Sequence, residues 1–144
     1  MTEQSQARGL PLHEPSTWLV LALSGVFVLL GGLFVFAPRA GAALFGIAAP
    51  EGSGLSYVSA IGLRDLAFGA YLAALSRLST RRAVGAVLGL TVLIPAGDVA
   101  LVILERGFES PKHLLLHAGS GLVMAAGALW LLRQSSHDNK GGFS

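Results

Sequence analysis

The stretch TWLVLALSGVFVLLGGLFVFA, residues 17–37, contains no charged side chain and ends at Pro38-Arg39. A hydrocarbon core about 30 Å thick requires ~20 consecutive apolar residues in a helix, so this stretch predicts a transmembrane span. A cleaved signal peptide is the alternative, because Arg8 precedes the stretch and small residues follow it. Signal sequences usually carry apolar regions of only ~7–15 residues, which favours a retained helix.

Three further apolar runs follow the first, and each is closed by a charged residue: Arg77, Glu105 and Arg133. We therefore predict an all-α membrane bundle of four helices with spans at about 17–37, 55–76, 83–104 and 113–132. The connection 38–54 holds a short apolar stretch, predicted to lie at the membrane interface or to form a half-helix. The polar ends, residues 1–16 and 133–144, are predicted to be disordered.

The composition supports a membrane protein, since 53% of residues are hydrophobic and only 12% are charged. Soluble domains average about 25% charged residues. The sequence has no stripe of basic residues interleaved with aromatic residues, so nucleic acid is not an expected partner. The chain has no cysteine, which excludes disulfides and thiolate chemistry, and no motif predicts a cofactor. We expect an integral protein of the cell membrane, plasma or inner, in contact with membrane lipid.

The Lys and Arg residues predict the orientation of the bundle, because cytoplasmic loops carry an excess of them. With the N-terminus inside, six lie on the cytoplasmic side and three outside. Both termini are therefore predicted to be cytoplasmic (N-in/C-in), chiefly through the basic cluster Arg77, Arg81 and Arg82 after the second span.

Four titratable residues lie within the predicted spans: Arg64, Asp65, Asp98 and His117. Charged groups at membrane depth cost several kcal/mol unless they face protein, water or each other. In the predicted topology all four fall between the midplane and the outer boundary, although they come from three helices. We therefore identify them as the candidate site, with catalytic roles if it is an active site.

Further candidates for ligand contact share helical faces with these four residues. Pro95 leaves the carbonyl of Thr91 without its helical donor, which predicts a kink just before Asp98. The candidate ligand-binding residues are Tyr57, Phe68 and Tyr71 beside Arg64, Thr91 beside Asp98, and His113 and Met124 beside His117.

Three functions remain open at this stage. In the first, the four residues form a pocket that binds or converts a small lipophilic molecule by acid–base chemistry of the isomerisation or cyclisation type. His117 would then exchange protons, Asp98 would orient it or act as the base, Arg64 would stabilise negative charge and Asp65 would hold Arg64. In the second, the protein is a structural or accessory subunit whose polar network only fixes helix packing. The third is proton-coupled transport as an oligomer.

Two other features give weaker signals. His113 and His117 stand at i and i+4, as two imidazole ligands would, but the pattern lacks further ligands and we predict no metal site. Gly85 and Gly89 form a small-residue motif that permits close helix contact. A homodimer through that face is an open alternative to packing within the chain.

The residues Gly62-Leu63-Arg64-Asp65-Leu66 with Gly69, then Pro95 and Asp98, then His117 and Gly119, resemble the pattern of domain-of-unknown-function family 4267. The stretch Leu44-Phe45-Gly46-Ile47 after the first span is also similar, and the resemblance covers residues 17–132. It implies a four-helix integral membrane protein related in general architecture to the DoxX-like bundles, and it implies no reaction.

Overall fold

The computed structural model describes residues 9–140, apart from the side chains of residues 137–140. Within this part of the chain the regular structure is helical only, and four stretches are long and apolar enough to cross a membrane. The predicted all-α fold with four candidate spans is thus confirmed, whereas the N-in/C-in orientation stays a prediction. The helices are α1 (Pro15–Phe36), α2 (Pro38–Phe45), α3 (Gly54–Leu78), α4 (Arg81–Thr91), α5 (Leu93–Arg106) and α6 (Pro111–Lys140).

Proline and glycine set the bounds of the first two helices. Pro15 and Pro38 each stand in the first turn of a helix, where a missing N–H removes no helical hydrogen bond. Gly46 ends α2 in the left-handed conformation, with φ of 99°. The predicted half-helix of the 38–54 connection is therefore the eight-residue α2, which folds back beside α1 and α3.

Helices α1 and α3 pack along a seam of small residues, here called the α1–α3 seam. A Cβ on Gly31 would lie 2.6 Å from the carbonyl oxygen of Gly62, and a Cβ on Gly69 would lie 2.9 Å from that of Ser24. The Ser24 hydroxyl donates to the carbonyl oxygen of Gly69 at 2.7 Å. Glycine at these positions lets the two backbones approach closely. The resulting van der Waals contact stabilises helix association in lipid, where the hydrophobic effect does not act between helices.

The third span is divided into α4 and α5 at Val92, next to the carbonyl that Pro95 leaves without a donor. Both parts pack against α6. Gly85 and Gly89 face Leu131 and Ala128 of α6, so the small-residue face considered for a dimer is covered within the chain.

Residues 9–16 lie against the bundle at the end where α3 turns into α4. The backbone N–H groups of Gly9 and Leu10 donate to the carbonyls of Ser79 and Ser76, and Leu10 is buried in the core. Glu14 accepts a hydrogen bond from Arg81. The predicted disordered segment 1–16 thus differs from the structure over 9–16, because these contacts satisfy backbone groups at the end of α3. Residues 1–8 lie outside the described residues.

At the other terminus, α6 continues beyond the predicted end of the span at 132 and reaches Lys140. Ser135 and Ser136 donate their hydroxyls to the carbonyl of Leu132, so this polar stretch remains hydrogen-bonded as helix. The predicted disorder of 133–144 therefore differs from the structure up to residue 140. Residues 141–144 lie outside the described part.

The bundle consists of two helix pairs, α1 with α3 and α4–α5 with α6. At the end that holds residues 9–16, Val20, Leu72, Leu88 and Leu131 share one buried core. The opposite end carries α2 and is here called the α2 end. There a second buried cluster joins residues of both pairs, including Phe45 of α2. The candidate site lies between these two clusters.

Candidate functional site

A cavity of about 570 Å³ lies between the two helix pairs, in the half of the bundle toward the α2 end. Phe27 and Met124 line it on the side of the main core, and Phe34 and Phe45 line it toward α2. Its walls are mostly aliphatic or aromatic side chains of α1, α2, α3, α5 and α6. Pockets of this size and lining are typical of small-molecule sites.

All four titratable residues singled out from the sequence line this cavity. On α3, the Arg64 guanidinium donates to Oδ1 of Asp65 from Nε at 3.3 Å and from Nη2 at 3.2 Å. The Asp65 side chain is almost buried, whereas half of the Arg64 side chain is exposed. The two neighbours thus form an ion pair whose cationic part reaches into the open space.

The second polar pair joins α5 and α6. Nδ1 of His117 lies 3.6 Å from Oδ2 of Asp98, and both side chains are largely buried. Nε2 of His117 lies 2.9 Å from the carbonyl oxygen of Phe45, the last residue of α2. The Phe45 ring also packs against the imidazole, with centroids 4.6 Å apart. His117 is therefore held from two sides, by α2 and by α5.

These contacts determine where hydrogen can lie on His117. A backbone carbonyl only accepts hydrogen bonds, so Nε2 must carry the hydrogen that points at Phe45. Nδ1 then faces Asp98 across 3.6 Å with one remaining position for a proton. A proton placed between these two atoms would be shared by an imidazole and a carboxyl group. Such a pair suits general acid–base chemistry as well as hydrogen bonding to a bound molecule.

The other residues predicted to contact a ligand are distributed unevenly. Met124 lines the cavity. Tyr57 and Tyr71 are 77% and 65% exposed and lie outside its lining. The remaining three also lie outside the lining: Phe68 packs edge-to-face on Phe27, Thr91 donates its hydroxyl to Val87, and His113 lies against Gly46. Within the described residues, no three His, Asp or Glu side chains converge as metal ligands would.

Sequence reasoning missed the contribution of α2 to the site. The carbonyl of Phe45 fixes His117, and the Phe45 side chain closes the cavity toward α2. Backbone carbonyls carry no sequence signal, so this contact could not be read from residue types. The available hint was Phe45-Gly46, since a glycine that ends a short helix places the preceding carbonyl outside the regular hydrogen-bond pattern.

Comparison with known proteins places the chain in a family. The model of a domain of unknown function, DUF4267, matches residues 24–131. The chain belongs to the DUF4267 family. No curated protein and no solved structure matches it, so the relation to DoxX-like bundles stays a prediction. Residues 24–131 include the whole cavity lining except Leu23.

Proposed function

We propose that this DUF4267 protein binds a small lipophilic molecule in the cavity between its two helix pairs. The observation that carries the proposal is the convergence of Arg64, Asp65, Asp98 and His117 on one apolar-walled space. A polar group of the ligand would face these side chains, and its apolar part would lie along the remaining walls. The Asp98–His117 pair could then exchange a proton with the ligand, as acid–base isomerisation requires.

The positions of exposed lining residues support access from the lipid. Val26 of α1 and Leu116 and Val123 of α6 line the cavity, yet each is about half exposed. Helices α1 and α6 approach at Leu19 and Gly127, nearer the opposite end of the bundle. Between that contact and the α2 end, the exposed lining residues face the outside of the bundle. A lipophilic molecule could therefore enter from the bilayer without crossing water.

The structural alternative predicts a different arrangement. A network that only fixes packing would link its members directly and leave no space among them, because unfilled volume lowers stability. Here Asp65 pairs with Arg64 and Asp98 faces His117, and both pairs border the cavity. Proton-coupled transport would need a polar path through the whole bundle. The buried core at the end opposite α2, built from apolar residues, favours binding over transport.

The experiment that tests binding fills the cavity by substitution. Gly119 lines the cavity, and a Cβ built on it meets no atom within 4 Å, so Gly119→Leu adds a side chain at the cavity with no clash at its Cβ. Gly97→Leu is the matched control, because Gly97 is also helical and unobstructed but is not among the lining residues. Thermal unfolding of wild type and both variants in dodecyl maltoside is followed with and without 1-decanol.

We expect 1-decanol to raise the Tm of wild type and Gly97→Leu by a few degrees and to leave Gly119→Leu unchanged. A ligand at 100 times its Kd stabilises the folded state by about 2.7 kcal/mol. Decanol, decyl sulfate and decyltrimethylammonium are tried in turn. If none of them gives a shift that depends on Gly119, the cavity does not bind such molecules and the proposal fails.

A further inference from the structure

The charges around the cavity balance within two pairs, and this limits what the cavity can hold. Asp65 accepts two hydrogen bonds from Arg64, which cannot lose its proton, so this pair is neutral as a unit. The net charge of the site therefore depends on the Asp98–His117 pair.

The geometry of His117 supports a neutral second pair. Its Nε2 hydrogen is held by the carbonyl of Phe45, which leaves Nδ1 facing Oδ2 of Asp98. Without a proton between them, two lone pairs would face each other in a buried place, which is unfavourable. With one proton, the pair is either imidazolium with carboxylate or imidazole with carboxylic acid. Both forms have no net charge.

The rest of the lining offers nothing to balance an added charge. Apart from the four titratable residues, Ser120 is the one other side chain with a polar group among the described lining residues. Its hydroxyl donates to the carbonyl of His117 in its own helix. A charged ligand would thus remain uncompensated among apolar walls, where the desolvation of an ion is unfavourable.

The lining also sets the length of the occupant. Lining residues run from Leu23 to Phe34 on α1 and from Leu115 to Met124 on α6. At 1.5 Å per residue these stretches extend about 16 Å and about 14 Å along the bundle. The charged groups of the wall belong to the Arg64–Asp65 and Asp98–His117 pairs. One end or side of an elongated molecule would meet them, and the rest would meet hydrocarbon.

We infer that the cavity selects a neutral, elongated lipophile carrying one hydroxyl or carbonyl group, and that it excludes lipophilic cations and anions. The Asp98–His117 pair both donates and accepts, so it can bond either a hydroxyl or a carbonyl oxygen. This inference rests on the proposed function and adds the chemical class of the ligand. A ketone or an alcohol can also exchange a proton with the Asp98–His117 pair, as the proposed acid–base chemistry requires.

Three probes with the same ten-carbon chain test the inference. 1-Decanol is neutral, decyl sulfate stays anionic and decyltrimethylammonium stays cationic at every working pH. Each is titrated against wild type and Gly119→Leu in dodecyl maltoside, below the concentration that lowers the Tm of Gly119→Leu. We expect decanol to bind wild type at least ~10-fold more tightly than either charged probe, the equivalent of a desolvation cost of about 1.4 kcal/mol or more.

A charged probe that shifts the wild-type Tm as much as decanol does, and does so only when Gly119 is retained, overturns the neutral selectivity but leaves the binding proposal intact. A complete absence of shifts dependent on Gly119 instead removes the binding proposal itself. The two failures are therefore distinguishable from one set of titrations.

Asp65→Asn provides a second, independent arm. This nearly isosteric change removes the carboxylate while Arg64 keeps its charge, so the site gains one uncompensated positive charge. We expect decyl sulfate to bind this variant at least ~10-fold more tightly than it binds wild type, with no such gain in Asp65→Asn/Gly119→Leu. An unchanged affinity for decyl sulfate would show that charge balance does not select the ligand.

Discussion

Helix α1 contacts both α3 and α6, and these two contacts are built in opposite ways. Along the α1–α3 seam, Gly31 and Gly69 bring backbones together and Ser24 makes a hydrogen bond between the helices. Toward α6, Leu19 lies against Gly127, and residues of both helices line the cavity. The same apolar helix thus has one side committed to packing and another that leaves space. The polar residues border that space.

The largest expected effect separates a buried core residue of α3 from a residue that borders the cavity. Leu72 is completely buried on the same stripe of α3 as Gly69, whereas Leu116 borders the cavity and is about half exposed. Leu72→Ala should lower the free energy of unfolding by about 2–5 kcal/mol, because it opens a new void in a packed region. Leu116→Ala should cost less than about 1 kcal/mol. Equilibrium unfolding in mixed micelles measures both, and equal losses would contradict the distinction.

A smaller effect is expected from the two adjacent glycines of α1. A Cβ on Gly31 would lie 2.6 Å from backbone atoms of Gly62 and Leu66, which cannot move aside as a flexible side chain could. Gly31→Ala should therefore destabilise the protein by about 1–3 kcal/mol. Gly32 has no atom within 4 Å of its Cβ position, so Gly32→Ala should be neutral or stabilising by up to about 1 kcal/mol. The Tm values of the two variants are compared by thermal unfolding. A lower Tm for Gly32→Ala than for Gly31→Ala would contradict close backbone packing along the α1–α3 seam.

The smallest effect concerns two serines. Ser24 donates across the seam to Gly69, whereas Ser120 donates to its own helix beside the cavity. Hydrogen bonds between membrane helices average about 0.6 kcal/mol in double-mutant cycles. Ser24→Ala should lose about that much and Ser120→Ala close to nothing. Chemical unfolding curves resolve such a difference when the slopes agree, and a larger loss for Ser120→Ala would speak for a structural role of the cavity wall.

Much of the fold could be predicted because lipid imposes a simple rule on sequence. Apolar runs of about 20 residues closed by Arg77, Glu105 and Arg133 define spans independently of how the helices pack. The small residues of α3 and the break near Pro95 also followed from local chemistry. The N-terminal residues 9–16 could not be placed, because their order comes from carbonyls at the end of α3 rather than from their own composition.

The candidate site was predictable in its members and not in its shape. The cost of charge in lipid singled out Arg64, Asp65, Asp98 and His117. Helix rotation decides which carboxylate faces Arg64, and sequence left Asp65 and Asp98 as alternatives; the structure shows the pair with Asp65. Rotation also turns Tyr57 and Tyr71 outward. The cavity itself lies between two helix pairs, and no single residue carries a signal for it.

The central claim is that the polar residues border the cavity for binding and not for packing, and Asp98→Asn tests it most directly. Thermal unfolding of wild type and Asp98→Asn is measured in dodecyl maltoside with and without 1-decanol. We predict that Asp98→Asn unfolds at the same temperature as wild type or higher, and that it loses most of the shift caused by decanol. A variant that unfolds several degrees lower, or that keeps the full decanol shift, would contradict the account.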